Sequence, residues 1–275
     1  MWNSGVIAEE TSGSCRTTFP QTVKTHAFPS VLAVLCLISS AFAADSPIAA
    51  AMAHGDAADE QLKTPEALAA YLEAEKLGGK SADLLSKIAR EYSLSMLDTK
   101  SRDEERRLGE KSLEYSQRAV AADPNNAMAQ LGLAIAYGRM ASYLDNKTRI
   151  AYSKQVKEHV DKALKLDPAL DYGYHVLGAW NYELASLNPV LRTVAKLIYG
   201  DLPAASYDDA VKNFKKAIEL APQRVVHHIE LGRTYAALGQ KDLARAEINK
   251  ALALPNREKD DPSAKERGRE TLRKL

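Results

Sequence analysis

The chain has 275 residues, 45% of them apolar and 27% charged, with 37 basic against 36 acidic groups. That is enough chain for a real core, and it excludes a collagen-like or strongly disordered protein. The near-neutral balance gives no overall pull toward nucleic acid, and two cysteines cannot make a disulfide framework.

Residues 31–44 are uncharged and mostly apolar, Lys24 and His26 precede them, and Ala41-Phe42-Ala43 sets small residues at the −3 and −1 positions of a cleavage point. This reads as a secretory signal peptide over residues 1–43. The run falls short of the roughly 20 residues a spanning helix needs. The bulky Leu35 before Cys36 argues against lipid attachment there. The segment ahead of Lys24, with Glu9 and Glu10, is long for a signal n-region, so a start at Val23 is a second reading of this end. Cleavage leaves 232 residues without a thiol. A soluble, secreted or periplasmic (Gram-negative type) protein without thiol catalysis is expected. Residues 44–63, rich in Ala with one Gly, read as a flexible leader.

Beyond Thr64-Pro65 apolar residues recur at three- and four-residue spacing, and hairpin turn signals are missing, which predicts an all-α chain. An extra helix is expected over 65–78. Four segments then end alike, at Ala122-Asp123-Pro124, Leu166-Asp167-Pro168, Leu220-Ala221-Pro222 and Ala253-Leu254-Pro255, each a helix stopped by proline. The spacings are 44, 54 and 33 residues, or a unit near 34 with insertions of about ten and twenty. Units of about 82–126, 127–170, 171–224 and 225–258 follow, within an array over 64–260. A polar C-terminal capping helix is expected over 261–275.

The last unit carries Leu231-Gly232, Tyr235, Gly239, Ala244, Ile248, Ala251 and Pro255, and in this it resembles the tetratricopeptide repeat. The earlier units repeat the pattern at Leu177-Gly178, Ala210, Phe214 and Ala217, at Leu133-Ala134, Tyr137, Val160 and Ala163, and at Ile88-Ala89, Tyr92 and Ala119. The resemblance implies a right-handed helical solenoid. A narrower likeness lies in Tyr174-His175-Val176-Leu177-Gly178-Ala179-Trp180-Asn181-Tyr182, in the insertion Val194 to Pro203, in Ser206-Tyr207-Asp208-Asp209-Ala210, and in Lys157-Glu158-His159. Over about residues 80–275 the chain resembles the regulator of microtubule dynamics family. Members in animal cells are non-enzymatic and associate with microtubules, mitochondria or membrane contacts, one of them with a link to lipid binding. The resemblance therefore implies a non-catalytic binding protein, and the exported leader departs from the family's setting.

In such arrays the first helix of each pair lines a concave face. Repeat counting places Arg90, Leu131, Ile135, Tyr172, His175, Tyr182, Ile229 and Arg233 there. Only Arg90 and Arg233 are basic, at opposite ends of an apolar middle, so a carboxylate clamp is not expected. The insertion predicts a helix over 189–199 with Asn188 as its cap, Pro189 first and Gly200 as its stop. Two readings stay open: the helix folds into the groove as core, or it is a lid over an apolar tunnel.

Other constellations carry no chemistry. Gly79-Lys80-Ser81 lacks the earlier glycine of a phosphate loop, since Ala74 stands there. His227-His228 point about 100° apart on a helix and cannot share a metal, and one of them reads as a packed histidine. His159 and His175 are candidate neighbours across repeats. No catalytic triad order, zincin motif or dinucleotide glycine pattern occurs. No enzyme, cofactor or metal is expected. Charge is divided, with 11 basic and 16 acidic groups over 44–126 against 24 and 18 over 127–275. The expected function is an exported adaptor that binds a peptide or protein partner in its groove. The rival is a carrier of a lipid or other apolar ligand under the 189–199 helix. No nucleic acid and no transmembrane anchor after cleavage are expected.

Overall fold

A computed structural model describes residues 46–200 and 204–275, and residues 44–275 form a compact unit of their own. The expected signal peptide lies outside the described residues. Within this unit the helices come in antiparallel pairs: α1 (Pro47–Asp59) with α2 (Thr64–Lys76), α3 (Ala82–Ser95) with α4 (Arg102–Ala122), and α5 (Ala127–Met140) with α6 (Asn146–Leu166). The chain continues with α7 (Asp171–Ala185), which pairs with α9 (Tyr207–Leu220) across the inserted α8 (Pro189–Tyr199), and then α10 (Val225–Ala237) pairs with α11 (Lys241–Ala253). Helix α12 (Asp261–Lys274) packs on α10 and α11. The second helix of each pair meets the first helix of the next, so the described residues form an all-α tetratricopeptide-repeat solenoid without strands.

Local chemistry explains where the helices start and stop. Ser46, Ser81, Ser101, Asn126, Asp145, Asn188 and Ser206 each accept a first-turn backbone N–H. Pro124, Pro168, Pro222 and Pro255 each lie two residues beyond the end of α4, α6, α9 or α11. Close approach within pairs rests on small side chains: Ala119, Ala163, Ala217 and Ala251, one per repeat, are all 0% exposed. The insertions of about ten residues in the first two units lie largely in α4 and α6, which run to 21 residues against 13 or 14 in α9 and α11.

The flexible leader expected over 44–63 is not found: residues 47–59 are helix α1, which buries Gly55 and Ala58 and sets Ile48, Ala51 and Met52 against the first core cluster. Its apolar contacts come largely from small residues, so it shows little amphipathic pattern. Gly55 is a seat rather than a breaker. A Cβ built there would stand 2.4–2.9 Å from the ring of Tyr71, which is 1% exposed and donates its hydroxyl to Asp56 at 2.6 Å. Gly55→Val is expected to cost about 1–3 kcal/mol through this overpacking. Urea unfolding checks it, and a cost near zero would mean that α1 is not docked.

The inserted helix also differs from both expectations. Helix α8 seats the fully buried Ala195 and has α6, the second helix of its pair, as its main neighbour. It neither fills a face of first helices nor covers one, because its inward positions carry a small residue while Val190 and Leu197 point to solvent. Among the described residues no helix is long and apolar enough to cross a membrane.

Candidate functional site

Residues 254–261, which lead from α11 into α12, carry charges that act on first-helix side chains: Glu258 and Lys259 on Arg90 and Glu91 of α3, and Asp260 on Arg139 of α5 and Tyr172 of α7. The turn is held by Asp261, whose Oδ2 accepts the backbone N–H groups of Arg257 and Glu258 at 2.7 and 2.8 Å. Lys265 Nζ donates to the Leu254 carbonyl. Lys259 Nζ donates to Thr64 Oγ1 at 2.8 Å and to Asp98 Oδ2, joining this segment to α2 and to the loop after α3. Glu258 pairs with Arg224 at the start of α10.

The predicted face divides. Leu131 and Ile229, expected to line a groove, are core residues at 3% and 0% exposure. Leu131 packs with Ala134, Val160 and Ala163, and Ile135 packs against the same cluster. Ile229 is covered by α12, where a Cβ on Gly268 would come within 2.6 Å of it. Arg90 is accessible but held, its Nη1 2.6 Å from Asp59 and 2.9 Å from Glu91. Arg233 is likewise held by Glu230 at 2.6 Å and lies over the ring of Tyr182. Those two, with Ala236, Ala237, Thr271, Lys274 and Leu275, line an open cavity of about 290 Å³.

Tyr172 and His175 meet in an aromatic and ionic cluster. The ring of His175 lies against Tyr172, Phe214 and His227, with centroids 5.0–5.5 Å apart. His227 Nε2 donates to Asp171 Oδ2 at 2.8 Å, which leaves its Nδ1 to accept from His175 Nδ1 at 3.1 Å. Arg224 stacks on Tyr172 and places Nε 2.8 Å from Asp171. Burial holds both imidazoles below their ordinary pKa, His175 well below, and for His227 it outweighs the Asp171 hydrogen bond. Burial pushes the other way on Asp171, yet the His227 hydrogen bond and the Arg224 charge keep its carboxyl below the usual range. The cluster is thus a carboxylate–guanidinium pair with two neutral imidazoles.

His227 and His228 are both fully buried, on separate partners, and His228 bridges Glu247 and the Pro222 carbonyl. His159 is not the neighbour of His175; it bonds Gln130 at 2.7 Å and stacks on Tyr137. Among the described residues no group of three or more His, Cys, Asp or Glu side chains could hold a metal ion.

The cation that repeat counting missed is Arg139, near the C-terminal end of α5. It is half-buried, and its one hydrogen bond among the described residues runs 3.4 Å to the Ser93 carbonyl. No carboxylate of the described residues comes within ion-pair distance. Burial lowers its pKa; the charge of Asp260 opposes this and that of Arg267 adds to it. A guanidinium has five N–H donors, so one hydrogen bond leaves most of this one's capacity unused among the described residues. The charge of Asp260 also acts on Tyr172.

The family model described as regulator of microtubule dynamics protein 1-3 matches residues 51–275, from within α1 to the last residue. The chain belongs to the regulator of microtubule dynamics family. Regulator of microtubule dynamics protein 1 of Bos taurus is 29% identical over 216 residues, 78% of this chain and 67% of the cattle protein. The protein 1 of Caenorhabditis elegans is 29% identical over 184 residues, 67% of this chain and 81% of its own length. The chain spans about two thirds of the length of the cattle and mouse relatives. Among solved structures, a thermophilic tetratricopeptide-repeat protein of Thermus thermophilus, TTC0263, superposes with a TM-score of 0.59 at 18% identity, over 82% of this chain and 98% of that one. That likeness is one of fold.

For this family member, the sequence signal that could have found Arg139 is weak. It stands four residues past Ile135, outside the positions that repeat counting assigns to the face, and nothing local shows that it lacks a carboxylate. Arg90 and Arg233 were legible as cations, but their partners Asp59 and Glu230 are supplied by the preceding hairpin and by the previous turn of the same helix.

Proposed function

We propose that this regulator of microtubule dynamics family member is a non-catalytic adaptor, exported through its N-terminal segment, that holds an acidic peptide segment of a protein partner on its first-helix face. The observation that carries this reading is Arg139, a half-buried guanidinium with a single long hydrogen bond and, among the described residues, no carboxylate within ion-pair distance. A carboxylate or phosphate reaching it would gain a charge-assisted, fork-shaped contact in a partly desolvated place. Tyr172, whose phenol acts on the same guanidinium, would supply flat apolar surface. The chain's own Glu258 pairs with Arg224 and the charge of Asp260 acts on Arg139, which supports an acidic ligand.

The test is quantitative capture from an extract of the exported compartment. The unaltered protein is expected to retain one partner stoichiometrically, and Arg139→Gln is expected to retain at least ten times less, with unchanged helical content. Equal capture by both proteins removes Arg139 as the anchor. An extractable lipid in place of a protein returns the carrier reading. Export is tested separately by sequencing the N-terminus of the mature protein, which is expected to begin at Ala44.

A further inference from the structure

Helix α8 carries the two most exposed large apolar side chains among the described residues, Leu197 at 82% and Val190 at 72%. They stand seven residues apart, two turns, and so share one face of the helix. The opposite flank, with the buried Ala195, is seated on α6. Within α8 itself the charge has one sign. Helix α8 contains Arg192 and Lys196 and no acidic residue, and both cations are exposed. The first half of α6, residues 146–157, adds Lys147, Arg149, Lys154 and Lys157, with Asp145 before it and Glu158 after it. Lys157 pairs with Asp161, while the other five cations make no ion pair among the described residues. Elsewhere on the array exposed cations are commonly neutralised within their own helix, as in Arg107–Glu104 and Arg106–Glu110.

We infer that the α6–α8 pair is a peripheral docking surface for an anionic lipid bilayer. Val190 and Leu197 would enter the boundary between headgroups and acyl chains while Arg192, Lys196 and the α6 lysines engage lipid phosphates. A short helix, apolar on one flank and cationic on the other, suits a flat anionic interface. A protein partner would need an acidic groove shaped to it. This surface is separate from the first-helix face, and its test is independent of the adaptor reading.

The experiment is co-sedimentation of residues 44–275 with vesicles of phosphatidylcholine alone and with 30% phosphatidylglycerol. Binding is expected only with the anionic lipid, and it should weaken with added salt. V190S/L197S is expected to lower the partition at least ten-fold. R192Q/K196Q should lower it about five-fold per charge removed. Helical content by circular dichroism should stay the same in each, since all four side chains are exposed. No binding to anionic vesicles overturns the proposal, as does binding that ignores the α8 substitutions. A dimer in solution that V190S/L197S dissociates, without vesicle binding, assigns the surface to a second copy and also overturns it.

Discussion

Phe214→Ala is expected to lower the stability of the array by about 3–5 kcal/mol, the range for removing a fully buried aromatic ring. Phe214 is 1% exposed and sits where the α7–α9 pair meets the α10–α11 pair, packed with Ala210, Leu231, Tyr235 and Ala244. Its ring fills the space that Gly178 leaves on α7, where a Cβ would stand 2.7 Å away. It also supports the edge of His175. Truncation therefore opens a cavity that two helix backbones cannot close, and it loosens the Asp171–His227–His175 cluster as well. Repeat arrays do not always unfold in one step, so the loss is best read from urea unfolding together with hydrogen exchange of α7, α9 and α10. A loss below about 1 kcal/mol would show that the junction collapses without strain.

Glu91→Gln is expected to stabilise the protein at pH 8 by up to about 3 kcal/mol and to leave it unchanged at pH 4.5. Glu91 is 1% exposed on α3; Oε1 accepts from Arg90, while Oε2 is buried without a partner. Burial pushes its carboxyl from 4.5 to about 7, against the pull of Arg90. The folded state therefore holds this proton where the unfolded chain has lost it. The stabilising contribution is complete below about 4.5 and disappears as pH rises through about 7. Glutamine has no such proton to lose. Because His159, His175 and His227 shift the opposite way, the informative quantity is the difference between variant and unaltered protein at each pH. A difference that is flat with pH would show that Glu91 does not titrate in this window.

The repeat was legible because its determinants are local. A serine or asparagine before a helix, a proline two residues past its end, and an alanine at each close approach act within one or two turns, so spacing alone located the pairs. Helix α1 was missed because its burial depends on what faces it: Gly55 is favourable only where the ring of Tyr71 lies against it. The expected groove failed in part for a similar reason. Leu131 and Ile229 occupy the positions that repeat counting assigns to the face, yet neighbouring helices and α12 cover them.

The sequence by itself determined a four-unit tetratricopeptide array with an inserted helix and a family likeness, since periodicity, caps and small residues are short-range properties. The tertiary structure decided which charges are satisfied and which surfaces are open. Lys259 reaches Thr64 across 195 residues, and Arg90 finds Asp59 one hairpin earlier. Among the described residues Arg139 finds no carboxylate within ion-pair distance, and Val190 and Leu197 on α8 stay largely exposed. Pairing energies between side chains depend on distance in space, which the order of residues along the chain does not encode locally.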